Sequence, residues 1–206
     1  IFRAISPLIL ISIGAGLTIP FVNLFFNSIF NLSSSDFSLL GSFTALLVFI
    51  FSLLVPTLRK KYGYWATIVL NQSLAIIFLI IMATTELYAA SSYAIIIAIS
   101  AYILRQPLMH MAHPASNELM MNYVGKKNQE LISALSSSLW SASWFISAKI
   151  FEWLRILEFQ YFEIFLITAA LYIIGVVLFG FLISQYEKNS KKSNQILPIA
   201  DELSID

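Results

Sequence analysis

The stretch "YAIIIAISAYILRQPLMHMAHPASNELMM", Tyr93 to Met121, opens as an unbroken apolar run and then takes in an arginine, a glutamine, two histidines, two prolines and an asparagine. The apolar part asks for lipid, and the polar part asks for something enclosed within it. On a helix advancing about 100° per residue, Arg105, Gln106, His110, His113, Ser116 and Asn117 share an arc of about 140°. Leu104, Leu108, Met111, Ala112, Ala115 and Leu119 occupy the other side. At ~1.5 Å per residue, Arg105 lies about 18 Å from Tyr93, near the middle of a hydrocarbon layer about 30 Å thick. A cation at that depth costs at least ~2.5 kcal/mol even on the most lenient insertion scale, so it belongs against protein or a water-filled cavity. Pro107 and Pro114 each remove a backbone donor and free a carbonyl one turn earlier, which predicts bends and adds acceptors.

The rest of the chain fits the same setting. Of 206 residues, 59% are hydrophobic and 11% charged, against about 25% charged in a soluble domain. Six stretches are apolar over about the 20 residues a bilayer requires, approximately 6–28, 37–57, 65–85, 91–121, 131–151 and 161–184. An all-α membrane protein is expected, with a polar tail over 186–206 whose composition predicts mobility. If every stretch crosses, Arg3, Arg59, Lys60, Lys61, Lys126, Lys127, Lys188, Lys191 and Lys192 fall on one side, and Arg155 and the end-of-helix Lys149 on the other. The positive-inside rule then makes both ends of the chain cytoplasmic.

Several classes are disfavoured. The absence of cysteine rules out disulfides, thiol nucleophiles and thiolate metal sites. A net charge of +1 with scattered basic residues argues against a nucleic-acid partner. His110 and His113 could share a face, but no carboxylate or cysteine completes a ligand set, so neither a metal nor a cofactor is expected. There is no HExxH, no GxSxG and no aspartate within a span, so catalysis is not expected either. The chain starts at Ile1 with no signal-peptide pattern, and we expect it to be part of a longer polypeptide.

Two other spans carry patterns. Ser12, Gly16, Pro20, Asn23 and Asn27 fall within about 80° of one another, a stripe suited equally to helix packing and to lining a path. In 131–151, Ser133, Ser137 and Ser141 make a small-residue seam that favours tight packing, with Trp140 and Trp144 on a neighbouring face. The alternative reading of the central stripe is structural: Arg105 locked to a carboxylate elsewhere, and the histidines packed.

Taken in order, "IGAGLTIPFVNLFF", "PTLRKKYGY", "LRQPLMHMAHP" and "SLWSASW" resemble the C-terminal six-helix half of a major facilitator superfamily transporter, over about residues 1–185. The finer resemblance is to bacterial drug or small-solute exporters. It implies helices seven to twelve of a twelve-helix rocker-switch carrier in the bacterial inner membrane, an N-terminal half in the same polypeptide, a small-molecule solute and a coupling ion, with a proton expected. The family's basic loop commonly places an acidic residue before its basic one; Lys60 stands there, so the usual charge lock lacks its carboxylate. The resemblance also implies that 6–28 and 91–121 line the central site, the two spans with polar stripes. Arg105, Gln106, His110, His113, Asn117, Asn23 and Asn27 are thus the expected path residues, and Pro20, Pro107 and Pro114 the expected bends. An intramembrane enzyme and a non-transporting membrane scaffold are the alternatives.

Overall fold

The computed structural model describes residues 1–202, with side chains described up to residue 190. Every regular element among the described residues is helical: α1 (Phe2–Thr18), α2 (Val22–Phe30), α3 (Ser34–Ser52), α4 (Val55–Tyr64), α5 (Asn71–Thr84), α6 (Ala94–Val124), α7 (Gln129–Ile156) and α8 (Tyr161–Glu202). Among the described residues five helical segments, Phe2–Phe30, Ser34–Ser52, Val55–Tyr88, Ala94–Val124 and Tyr161–Ser190, are long and apolar enough to cross a membrane.

These bounds correct the sequence reading in particular places. The stretch 131–151 lies on α7, which has the length of a span but falls outside the group apolar enough to cross, because its serines dilute the apolar residues. The second stretch ends early, at Ser52, and the basic residues Arg59, Lys60 and Lys61 ride on α4 rather than in a loop. Gly63, at φ 75°, kinks the chain at the end of α4, a conformation open to glycine without side-chain strain. Pro20 sits in a 3-10 turn, Ile19–Phe21, that divides the first span into α1 and α2. α6, by contrast, runs through Pro107 and Pro114 without ending. α8 carries on as helix past residue 186, where composition predicts a mobile tail; residues 203–206 lie outside the described residues.

The packing has an internal symmetry. α1 packs chiefly on α7 and α8, α6 packs chiefly on α3 and α5, and α5 meets α8. Exchanging the first three long segments for the last three leaves this set of neighbours unchanged. Glycines permit the close approaches: a Cβ on Gly16 would stand 2.6 Å from the Ser147 Cβ, and one on Gly175 2.8 Å from Ile11 Cγ1. Ser147 Oγ donates to the Ile13 carbonyl at 2.8 Å, and Thr18 Oγ1 to Thr168 Oγ1 at 3.0 Å, so α1 is tied to both neighbours by buried hydroxyls. These bonds give apolar helices a register that greasy contact alone does not specify.

The two ends are closed differently. At one end Phe25, Phe26, Tyr102, Tyr161 and Phe165 form an aromatic cluster, with Phe25 and Phe165 centroids 5.4 Å apart. Glu86 reaches across to accept from the Phe162 amide at the start of α8, placing a negative charge where unpaired N–H groups point outward. At the other end Glu118 of α6 pairs with Arg59 of α4 at 2.5 Å. Arg59 Nη2 also donates to Tyr64 Oη at 2.7 Å, and Asn122 Nδ2 donates to the same oxygen at 3.1 Å.

Candidate functional site

The helix α6 is central because Ala98, Ala101, Ala112 and Ala115 let neighbours approach one of its sides, and all four are buried. The opposite, polar side turns toward a cavity of about 290 Å³ bounded also by α1, α5, α7 and α8. From the predicted stripe, Arg105, Gln106, His110, His113, Ser116 and Asn117 all line it. The helix wheel therefore identified a real surface, and the prolines did not scatter it.

Arg105 is at its base. Its side chain is the largest among those almost wholly buried, with 1% exposure. Nη2 lies 3.4 Å from Tyr172 Oη and Nη1 3.5 Å from Gln106 Oε1, while Nε has no partner among the described residues. Both contacts exceed the ~3.2 Å upper range of ordinary N–H···O bonds, so the guanidinium is only weakly satisfied. The ion pairs among the described residues are Arg59–Glu118 and Lys149–Glu152, and neither involves Arg105. Gln72 of α5, 4% exposed, lines the same cavity and its Oε1 is also without a partner. A buried cation and a buried amide with spare hydrogen-bonding capacity face a space bounded mainly by Leu8, Ile11, Ile19, Met109 and Phe179.

The histidines stand at the rim, where both are exposed. His113 is held between neighbours, with Nδ1 3.4 Å from Asn117 Nδ2 and its ring edge-on to Trp140 at 5.7 Å. A second cavity, about 310 Å³, shares Leu8, His113, Asn117 and Trp140 with the first. A third, about 90 Å³, shares Asn117, Ser136 and Ser137 with the second and ends at Met121 and Ser133, beside the Lys126–Asn128 turn. The three adjoin one another along the α6 and α7 faces.

The first span behaves otherwise. Asn27 is exposed and donates from Nδ2 to the Leu32 carbonyl at 3.1 Å, closing the end of α2, and Asn23 lies away from the cavity with a buried Oδ1 left unpaired. Gly16 faces Ser147, so the small-residue part of that stripe packs against α7. What α1 gives the cavity is the adjacent apolar side, Leu8, Ile11 and Ala15. Asn23 and Asn27 are thus not brought to Arg105, because the 3-10 turn at Pro20 sets α2 apart from α1. Gln72, Tyr172 and Ser136 were missed by the sequence reading. Gln72 carried a usable signal, an amide inside an apolar run; Tyr172 carried none beyond being a lone phenol among aliphatic residues.

Among the described residues no group of three His, Asp or Glu side chains is placed to hold a metal ion. No protein-family profile and no curated protein matches this chain.

Proposed function

We propose that this chain is the C-terminal six-helix half of a major-facilitator-type secondary transporter that carries a small organic solute by alternating access, with both ends of the chain on the cytoplasmic side of a bacterial inner membrane. α7 completes the six crossings in this reading, with Ser143 and Ser147 buried and Ser133, Ser136, Ser137 and Ser141 lining cavities. The observation that carries it is Arg105: a guanidinium buried near mid-membrane, without a carboxylate among the described residues, facing a cavity that adjoins two others along α6 and α7. Such a group is costly in apolar surroundings and is retained for something that visits it.

The helix-packing symmetry supports the reading, since two three-helix repeats exchanging neighbours around a midplane site is the architecture of many carriers. His110 and His113 at the rim are the groups we assign to proton coupling, histidine being the side chain that changes charge nearest neutral pH. The Arg59–Glu118 pair would open and close with the cytoplasmic side, as it ties α4 to α6. The test is reconstitution of the full-length protein in vesicles with a pH gradient. Solute movement should depend on the gradient and be lost in Arg105→Ala, whose folding is checked by its elution profile. Wild-type transport by a folded Arg105→Ala variant removes the site from the mechanism.

A further inference from the structure

We infer that the cavity takes an organic monoanion: a carboxylate head at Arg105 with an apolar body lying against α1 and Phe179. This rests on the carrier reading for its name as cargo, but the binding chemistry stands on the cavity alone.

Three observations converge. The head-binding end is complete except for an acceptor. Arg105 Nε is unpartnered and its two other contacts are long, to neutral groups that a carboxylate would outcompete. A guanidinium offers donors in a fixed planar fork that matches a carboxylate with two bonds at once. Next, the fixed charge is single. Among the described residues Arg105 is the one permanently charged side chain lining the cavity, so with the rim histidines unprotonated one negative charge balances it and a dianion would leave the second uncompensated in apolar surroundings. Last, the wall made by α1 and Phe179 is greasy. Leu8, Ile11, Ile19 and Phe179 present no donor or acceptor side chain to the space, the hydrogen-bonding groups Gln106, His110, His113, Ser116 and Asn117 lying on the α6 side. Against the greasy wall a hydrophilic body would lose water and gain nothing in exchange, whereas a ring or short alkyl chain is favoured in proportion to the area it buries. A compact inorganic anion would use the guanidinium and leave that surface idle.

Gln72 lines the same cavity, and its buried Oε1 has no partner among the described residues, so its amide has hydrogen-bonding capacity to offer a bound head.

The experiment measures equilibrium binding of radiolabelled benzoate to the full-length protein in detergent, with unlabelled octanoate, benzamide and inorganic phosphate as competitors. Benzoate should bind, octanoate should compete, and benzamide and phosphate should not. Arg105→Gln should weaken benzoate about ten- to a hundredfold, the range for a charged hydrogen-bonded contact. Should that variant fail to fold, Gln72→Glu gives a second reading: a carboxylate of nearly the same shape placed in the same wall should occupy the guanidinium and abolish benzoate binding. Equal competition by benzamide, competition by phosphate as strong as by octanoate, no binding of either carboxylate, or wild-type benzoate affinity in a folded Arg105→Gln or Gln72→Glu variant overturns the inference. Proteoliposomes separate the two claims. Gradient-driven movement of a neutral solute with no carboxylate binding overturns the ligand class and leaves the carrier reading standing. Arg105-dependent benzoate binding without benzoate counterflow upholds the anion site and counts against the carrier.

Discussion

Replacing Arg105 by methionine should make the empty protein more stable while destroying its use. An arginine near the centre of a membrane helix costs ~2.5–3.5 kcal/mol on insertion scales. Against that stand two contacts of 3.4 and 3.5 Å to neutral oxygens, together contributing about 1 kcal/mol. Methionine keeps much of the apolar stem, adapts to an irregular space and removes both the charge and the unpaired Nε. The balance favours the variant by about 1.5–2.5 kcal/mol. At about 2–4 °C per kcal/mol for a chain of this size, its melting midpoint should rise by roughly 3–10 °C in detergent without ligand. Wild type should recover the difference when benzoate is added, and Arg105→Met should not respond. The rival structural reading gives the opposite sign. If a carboxylate of the full-length protein were locked to Arg105, methionine would strand that charge and cost ~3–5 kcal/mol. A midpoint lowered by that amount in a folded variant would refute the reasoning.

Other substitutions test the packing that builds the cavity. In Gly16→Ala the new Cβ would stand 2.6 Å from Ser147 Oγ and 3.2 Å from the Ser143 carbonyl, which should destabilise by ~1–3 kcal/mol in a thermal melt. Gly41→Ala, where nothing lies within 4 Å, should instead stabilise by about 0.5–1 kcal/mol, as alanine outranks glycine in a helix. Thr168→Val removes the acceptor of the buried Thr18 hydroxyl and should cost about 1 kcal/mol, with the Thr18→Val, Thr168→Val double variant close to the single one in a double-mutant cycle. Glu118→Gln breaks a pair whose side chains are 36% and 40% exposed. It should change stability by less than ~1 kcal/mol, and less still in high salt, while altering the transport rate.

What the sequence made legible was periodicity, and what it hid was where the period breaks. The face holding Arg105, Gln106, His110, His113, Ser116 and Asn117 emerged from spacing alone because α6 stays helical through both prolines. The same method failed on the first span. Phases carried from Ser12 to Asn27 assume one continuous helix, and the 3-10 turn at Ile19–Phe21 interrupts it. Asn27 is occupied at a helix end by a local carbonyl that no wheel represents. α7 raised the opposite difficulty. The packing seam expected at Ser133, Ser137 and Ser141 is exposed and lines cavities instead, and the contact with α1 runs through Ser143 and Ser147 on another side of the same helix. Tyr172 comes from α8, two spans away in sequence, and only tertiary packing brings its phenol to α6.

The way Arg105 is held bears on whether its ligand can leave. A guanidinium tied to a carboxylate would be cheap to bury and hard to recruit, because any incoming anion would first have to displace a full charge. One with no partners at all would be prohibitively costly between turnovers. Arg105 lies between these limits, with a phenol and an amide at the long edge of hydrogen-bonding distance and one donor spare. Neutral partners lower the cost of the empty site without competing in charge, so a carboxylate gains the difference between charged and neutral bonds and no more. That difference is worth roughly one to two powers of ten in affinity. It is enough to select an anion and too little to trap one, and this is the range in which a carrier, unlike a storage or sensing site, has to work.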